Sequence, residues 1–347
     1  MGLEFLRDNG GRRMRQYDEQ PFLLGDGVTL EEQPDTRLDH SYEVSADEWQ
    51  PKDTGGVQGN GAWSQRPTRF IDGKDVGSTV AWLQTRDGYP VPVRLSQIGA
   101  VVMRDEGGEL RRVYQHVERV VSMMVDPFPW DEVEAFAMAL QAEGYRLLPC
   151  NKPEGGMTFD FERMRKTTQN GSNEEMIRLE RLALGQDSTM PTLVDGRLEP
   201  RAGSFDDERD PVVGLIKTHS ELYLHAQGWR VFFALRPGER TPAFTIKQRD
   251  LDVVSWYVRL DGDRGDMPNW GIVRLEVPEL YFDRSLGRDW SYLDRLSGLV
   301  REYRSRDVTY GRAPVTIHPI QRAEESLGAL FAAGDQLISR FYRMTTL

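Results

Sequence analysis

Residues 68–73 read Thr-Arg-Phe-Ile-Asp-Gly, and residues 191–196 read Pro-Thr-Leu-Val-Asp-Gly. Each is a short apolar run that closes on an aspartate and a turn glycine, the pattern of a buried strand stopping at an open edge. A single Asp-Gly is ordinary turn chemistry. Two such strands lying side by side in one sheet, however, deliver Asp72 and Asp195 to the same edge. Carboxylates that converge in this way cannot all stay ionised without a cation, and hard oxygen ligands suit Mg2+ or Mn2+.

Working outward, segments 78–85, 90–104 and 110–125 are β-branched and alternating, with Asp105-Glu-Gly-Gly as the turn of a hairpin, so the chain begins with antiparallel strands. Trp130–Glu143 spaces Val133, Phe136 and Leu140 as a helix does, and Asn173–Leu184 reads as a second helix capped by Asn173. That helix carries Glu180, with Glu174 and Glu175 as rivals. Further strands are predicted at Pro211–Lys217, Trp229–Leu235, Ala243–Lys247, Val253–Leu260 and Gly271–Val277, and closing helices at Tyr292–Ser305 and Gln321–Tyr342. Strands first, then a helix bearing a glutamate, then a second aspartate strand is the order in which ribonuclease-H-like folds deliver their acids. The fold class is therefore α/β, a ribonuclease-H-like mixed sheet flanked by helices. Residues 1–64, rich in Gly, Asp and Glu, read as an irregular N-terminal arm for partner docking or partial disorder, ahead of a domain at 65–347.

Composition narrows the function. The lone Cys150 excludes an internal disulfide and a cysteine-based zinc site and points to a reducing, cytoplasmic compartment. The sequence contains no His-Glu-x-x-His, no G-x-S-x-G and no phosphate-binding G-x-x-x-x-G-K-[ST], so any energy for DNA movement comes from another protein. Its apolar runs are too short to span a bilayer, so no membrane association is expected. The formal net charge of -11 argues against a stand-alone DNA-coating protein, though not against a nuclease fed by a motor.

Six segments together carry a resemblance: Phe-Ile-Asp-Gly at 70–73, Arg-Leu-Glu-Arg-Leu-Ala at 178–183, Leu-Val-Asp-Gly-Arg-Leu at 193–198, Val-Val-Gly-Leu-Ile-Lys at 212–217, Ile-Val-Arg-Leu-Glu-Val-Pro at 272–278 and Pro-Ile-Gln-Arg-Ala-Glu at 319–324. In this series the chain resembles the NurA nuclease family, a ribonuclease-H-like group related to Piwi domains. The resemblance implies a Mn2+- or Mg2+-dependent nuclease acting on DNA ends and single strands. It also implies a homodimer, a HerA-type hexameric ATPase as partner, and a role in DNA end resection or antiphage defence. Asp72 matches the first family carboxylate, Asp195 that of the central strand, and Glu180 the helical glutamate. The chain departs from the family at Ala323-Glu324, where many members carry Ala-His. Glu324 or His318 then completes the metal set.

Lys217, at the end of the strand after Asp195, is placed to neutralise a scissile phosphate. Arg163, Arg165 and Lys166, with Arg301, Arg304, Arg306 and Arg312, are candidates for backbone contacts to DNA. Trp256 and Tyr257 are read as base-stacking residues or, in a strand, as core. Two other readings stand beside the nuclease. One is a catalytically inactive ribonuclease-H-like scaffold that regulates an ATPase ring. The other is a guide-directed ribonuclease, for which the sequence offers no recognisable guide-end pocket.

Overall fold

The computed structural model describes residues 2–13, 37–55, 63–153, 155–218, 223–262, 268–306 and 315–347. Within these the chain runs α1 (Phe5–Asp8), β1 (Arg12–Arg13), β2 (Arg37–Asp39) and β3 (Lys52–Asp53), then the long strands β4 (Arg69–Gln84), β5 (Pro90–Glu106) and β6 (Glu109–Met124). It continues through α2 (Trp130–Ala142), β7 (Arg146–Cys150), α3 (Phe161–Gly185), β8 (Thr192–Asp195), β9 (Val212–Ile216), α4 (Ala226–Ala234) and β10 (Glu239–Arg240). The remainder is β11 (Phe244–Lys247), β12 (Val253–Arg259), β13 (Ile272–Pro278), α5 (Trp290–Glu302), α6 (His318–Gly328) and α7 (Gly334–Thr345).

One mixed sheet organises the molecule. Strands β4, β5 and β6 form an antiparallel meander. On the other side of β4, β8 pairs with it in parallel and β9 pairs in parallel with β8. The order β6-β5-β4-β8-β9 is the ribonuclease-H-like arrangement, and β13, β12 and β11 extend it by antiparallel pairing. The β4/β8 pairing aligns Phe70 with Leu193 and Ile71 with Val194, so the two Asp-Gly ends lie side by side as the sequence predicts.

Successive residues of a strand face opposite sides of the sheet, and the core divides accordingly. Ile71, Val102, Val194 and Val212 pack with Leu179, Ala183 and Leu184 of α3. Phe70, Val101, Leu193, Val213 and Leu215 pack with Ile320, Ala323 and Leu327 of α6. Helices α3 and α6 therefore cover opposite faces, and burying each such Leu or Ile side chain contributes about 1.5–3 kcal/mol. Arg69, fully buried at the start of β4, donates to the carbonyls of Leu184 (3.2 Å), Asp187 (2.8 Å) and Ala183 and so ties the C-terminal end of α3 to the sheet. Burial lowers its guanidinium to about 10.

Several elements differ from the sequence reading. Segment 229–235 is helical rather than a strand: His225 caps α4 by accepting the Gly228 N–H (2.8 Å), and Gly228, Val231 and Phe232 are buried at helical spacing. Helix α3 begins at Phe161, capped by Asp160, whose carboxylate accepts from the N–H groups of Glu162 (3.1 Å) and Arg163 (3.0 Å). Asn173 is thus mid-helix, as is Gly171, where a Cβ would lie 2.6 Å from the Cys150 Sγ. The closing helix is two, α6 and α7, and the backbone at the break is satisfied by Gln97, which exchanges two hydrogen bonds with Ala332 (2.9 and 2.8 Å). Strand β4 is continuous through segments read as two, and β7 has no counterpart in the sequence reading.

The described parts of residues 1–64 pack on this body. Strand β1 pairs with β4, β2 with β11 and β3 with β10. Trp49 is fully buried, and Glu43 makes a two-pronged ion pair with buried Arg240 (2.8 and 2.9 Å). Trp256 and Tyr257 are also buried, with the Trp256 indole donating to Ser297 Oγ (2.9 Å), so they belong to the core and do not present a stacking surface. None of the described helices is long and apolar enough to cross a membrane.

Candidate metal centre

The alternation that divides the core also sets the site. Asp72 shares a face with Phe70, Asp195 with Leu193, and Lys217 extends the line of Val213 and Leu215. All three therefore emerge on the α6 face, at one end of adjacent strands. Glu324, on the margin of the apolar stripe of α6, meets them there. Ligand oxygens of Asp72, Asp195 and Glu324 all lie within 4.8 Å of one another.

Lys217 is the positive member of this group. Its ammonium lies 2.8 Å from Asp195 Oδ2 and 3.5 Å from Glu324 Oε1, and only 8% of its side chain is exposed. Burial alone pulls the ammonium down, but Asp195, Asp72 and Glu324 outweigh it and hold it above the usual lysine range. Burial likewise pushes the Asp72 carboxyl well above its ordinary range. Asp195, Glu324 and Glu180 push the same way, and Lys217 opposes them. Asp72 is 3% exposed, and its Oδ2 has no hydrogen-bond partner among the described residues. A buried carboxylate with an unpartnered oxygen and two other carboxylates beside it is costly, and a bound cation would offset that cost. Three oxygen donors on rigid elements, with no sulfur or imidazole among them, fit a hard ion such as Mg2+ or Mn2+.

Glu180 is close by but is held differently. It reaches the sheet from the α3 face, over Gly73, where a Cβ would lie 2.6 Å from its Oε1. Only glycine admits the carboxylate at that point. Glu180 accepts the Gly73 N–H and is paired with Arg201, a buried residue that the sequence reading did not single out. Burial raises the Glu180 carboxyl, with Arg201 opposing. Arg201 also donates to the Asp195 carbonyl oxygen (3.0 Å) and to that of Arg197.

The turn that carries Arg201 is itself fixed. Gly196 takes a positive φ of 102°, which permits the reversal after β8. Leu198 N–H then donates to Glu276 Oε1 (2.6 Å), a buried carboxylate paired with Arg274 (2.9 Å). Pro200 begins the short helical turn Glu199–Arg201. No periodic or motif signal marks Arg201 in the sequence.

The other candidates lie outside the cluster. Glu175 pairs with Arg146 of β7 and with Arg178, toward the β6 and β7 side of the sheet, and Glu174 is exposed. His318 is exposed at the start of α6. Arg163, Arg165 and Lys166 sit near the start of α3, roughly 20–25 Å along the helix from Glu180 at 1.5 Å per residue. Arg165 lies over the Trp82 ring (5.8 Å). Arg304 and Arg306 follow α5, and the Arg304–Ile317 bridge places them beside the start of α6, near the cluster's own helix. Arg312 lies outside the described residues.

No protein-family model matches the sequence, and no curated relative matches it. Among solved structures, the chain is similar to the crystal structure of the NurA nuclease from Sulfolobus solfataricus, with 14% identity, a TM-score of 0.44 and 87% of each chain covered. At that identity and score no residue role is carried over from it.

Proposed function

We propose that the chain is a divalent-metal-dependent nuclease that hydrolyses phosphodiester bonds of DNA ends and single strands. The observation that carries this reading is the convergence of ligand oxygens of Asp72, Asp195 and Glu324 within 4.8 Å of one another, on a buried Asp72 whose Oδ2 has no hydrogen-bond partner among the described residues. A divalent cation supplies Lewis acidity at a phosphoryl oxygen and makes water acidic enough to attack at neutral pH.

The chain's own residues do the rest. Asp72, Asp195 and Glu324 hold the ion, each from a different element, so its position is set by the packing of β4, β8 and α6 rather than by a loop. Lys217 orients Asp195 and Glu324 and brings a fixed positive charge to the strand end where a scissile phosphate would sit. Glu180, tied by Arg201 and the Gly73 N–H, braces the β4 and β8 ends from the other face. Arg304 and Arg306 are the backbone contacts nearest the cluster's helix, and Arg163, Arg165 and Lys166 belong to a more distant DNA path. Under this reading the chain works as a homodimer beside a HerA-type hexameric ATPase, in DNA end processing or antiphage defence, and Mn2+ or Mg2+ is the cofactor.

A second reading has one observation in its favour. Lys217 already pairs with two of the three carboxylates and offsets one of their charges internally, as an inactive ribonuclease-H-like scaffold for an ATPase ring would need. Cleavage of end-labelled single- and double-stranded DNA separates the two. Wild type and Asp195→Ala are compared in Mn2+, Mg2+ or EDTA, each with and without a HerA-type ATPase. Metal-dependent cleavage that the variant loses supports the nuclease; no cleavage by folded wild type in any mixture supports the scaffold.

A further inference from the structure

We propose that Arg201 restricts this centre to a single divalent ion, because its guanidinium stands where a second cation would bind. The inference rests on the metal-dependent reading above. A second ion in this cluster would draw on Glu180 and on the backbone oxygen at the end of β8, that of Asp195. One nitrogen of Arg201, Nη2, already takes both: it is paired with Glu180 Oε2 and lies 3.0 Å from the carbonyl oxygen of Asp195. The other terminal nitrogen is fixed on the Arg197 carbonyl, so the guanidinium is anchored from its own turn as well. Arg201 is 5% exposed and Glu180 2% exposed, so moving either away from the other would leave a buried charge alone.

Charge and placement agree with this. Asp72, Asp195, Glu324 and Glu180 face Lys217 and Arg201, which leaves two formal negative charges, the complement of one divalent ion. The orphaned oxygen of Asp72 lies on the α6 face with Asp195 and Glu324, whereas Glu180 approaches over Gly73 on the α3 face. The sheet edge separates a cation-binding side from a side where an arginine does a cation's work. Arg201 is thus a positioning residue. Two-ion sites place their metals about 3.5–4 Å apart to stabilise both the attacking and the leaving oxygen. Here one ion would share the carboxylates with the fixed charges of Lys217 and Arg201.

The test counts Mn2+ bound per chain, by titration with the free ion read by electron paramagnetic resonance. Wild type is compared with Arg201→Met, Arg201→Lys and Glu180→Gln at pH 8. One ion is expected in wild type, in Arg201→Lys and in Glu180→Gln. In Arg201→Met a second ion is expected, spin-coupled to the first and broadening its spectrum. Two ions in wild type, with one lost in Glu180→Gln, would overturn the inference and leave the metal-dependent reading intact. A single ion in folded Arg201→Met, at unchanged affinity, would also overturn it. If Arg201→Met does not fold, the comparison of wild type with Glu180→Gln decides alone. No bound Mn2+ in wild type removes both the inference and the reading beneath it.

Discussion

Replacing Lys217 with Met tests whether the carboxylate cluster is electrostatically strained in the metal-free protein. The substitution keeps most of the aliphatic stem and removes the ammonium that lies 2.8 Å from Asp195 and 3.5 Å from Glu324. Breaking a buried pair by deleting one partner costs about 3–5 kcal/mol, because the other charge is left uncompensated. With an unfolding entropy of roughly 2 cal/mol/K per residue, that loss lowers the Tm of a chain of this size by about 4–7 °C. The sign of the pH dependence follows from the folded-state shifts. Asp72 is already raised by burial and by Asp195, and Lys217 is what opposes the rise. Without Lys217 it rises further, and a carboxylate whose folded pKa lies above its unfolded value costs stability above the folded pKa and nothing below the unfolded one. Lys217 itself is raised, so the stability it contributes to wild type is fully present below the unfolded lysine pKa and is lost only as pH rises through its folded pKa. The deficit of the variant is therefore larger at pH 8 than at pH 5.5 and shrinks as pH falls toward the ordinary carboxylate range.

Metal reduces the deficit. In the variant a divalent ion meets three carboxylates with no competing ammonium, so Mn2+ binds more tightly than in wild type. Occupancy at a hundredfold excess over Kd stabilises by about 2.7 kcal/mol. Thermal melts in EDTA and in millimolar Mn2+, at pH 5.5 and pH 8, read both effects. A variant that melts within 1 °C of wild type in EDTA at pH 8, or whose deficit widens on acidification, would refute the strained cluster.

Three further outcomes are expected. Gly73→Ala drives a Cβ to 2.6 Å from Glu180 Oε1 and 2.7 Å from its Cδ, so the carboxylate must leave its seat; the overpacking costs about 1–3 kcal/mol, read by denaturant titration, and an unchanged midpoint would place Glu180 elsewhere. Arg240→Met strands Glu43, whose carboxyl is held below its usual range by Arg240 and Lys52 against the effect of burial; the cost is about 3–5 kcal/mol at pH 7. Because the folded pKa of Glu43 is depressed, the stability it contributes is present above the unfolded glutamate pKa and fades as pH falls through the folded one, so in urea melts wild type and variant converge only as pH falls below the ordinary glutamate range. Arg69→Met leaves carbonyls at the end of α3 without their donor, at about 1–3 kcal/mol for each one buried, and hydrogen exchange should show that end of α3 opening first.

How far the sequence carries depends on whether a residue sits on a strand or a helix. Residues 70 and 72, 193 and 195, and 213, 215 and 217 have matching parity along paired strands, so their common face follows from the two-residue repeat once the strands are recognised. The two glutamates are not so determined. Glu180 stands beside Leu179 and four residues before Leu184; Glu324 stands beside Ala323 and four residues after Ile320. Each lies on the margin of its helix's apolar stripe, and periodicity describes them alike. What separates them is the face of the sheet on which each helix lands, and that is fixed by long-range connections that leave no local pattern. The same limit explains α4, whose Trp229, Val231, Phe232 and Phe233 have strand-like composition, yet whose Gly228, Val231 and Phe232 bury at helical spacing once His225 caps the turn. It explains Arg201 most directly, since that residue owes its place to a glycine turn, a proline and the buried Glu276 that grips Leu198. A cluster's strand-borne acids can therefore be read from a single sequence, while the identity of its counter-ions has to come from the packed structure.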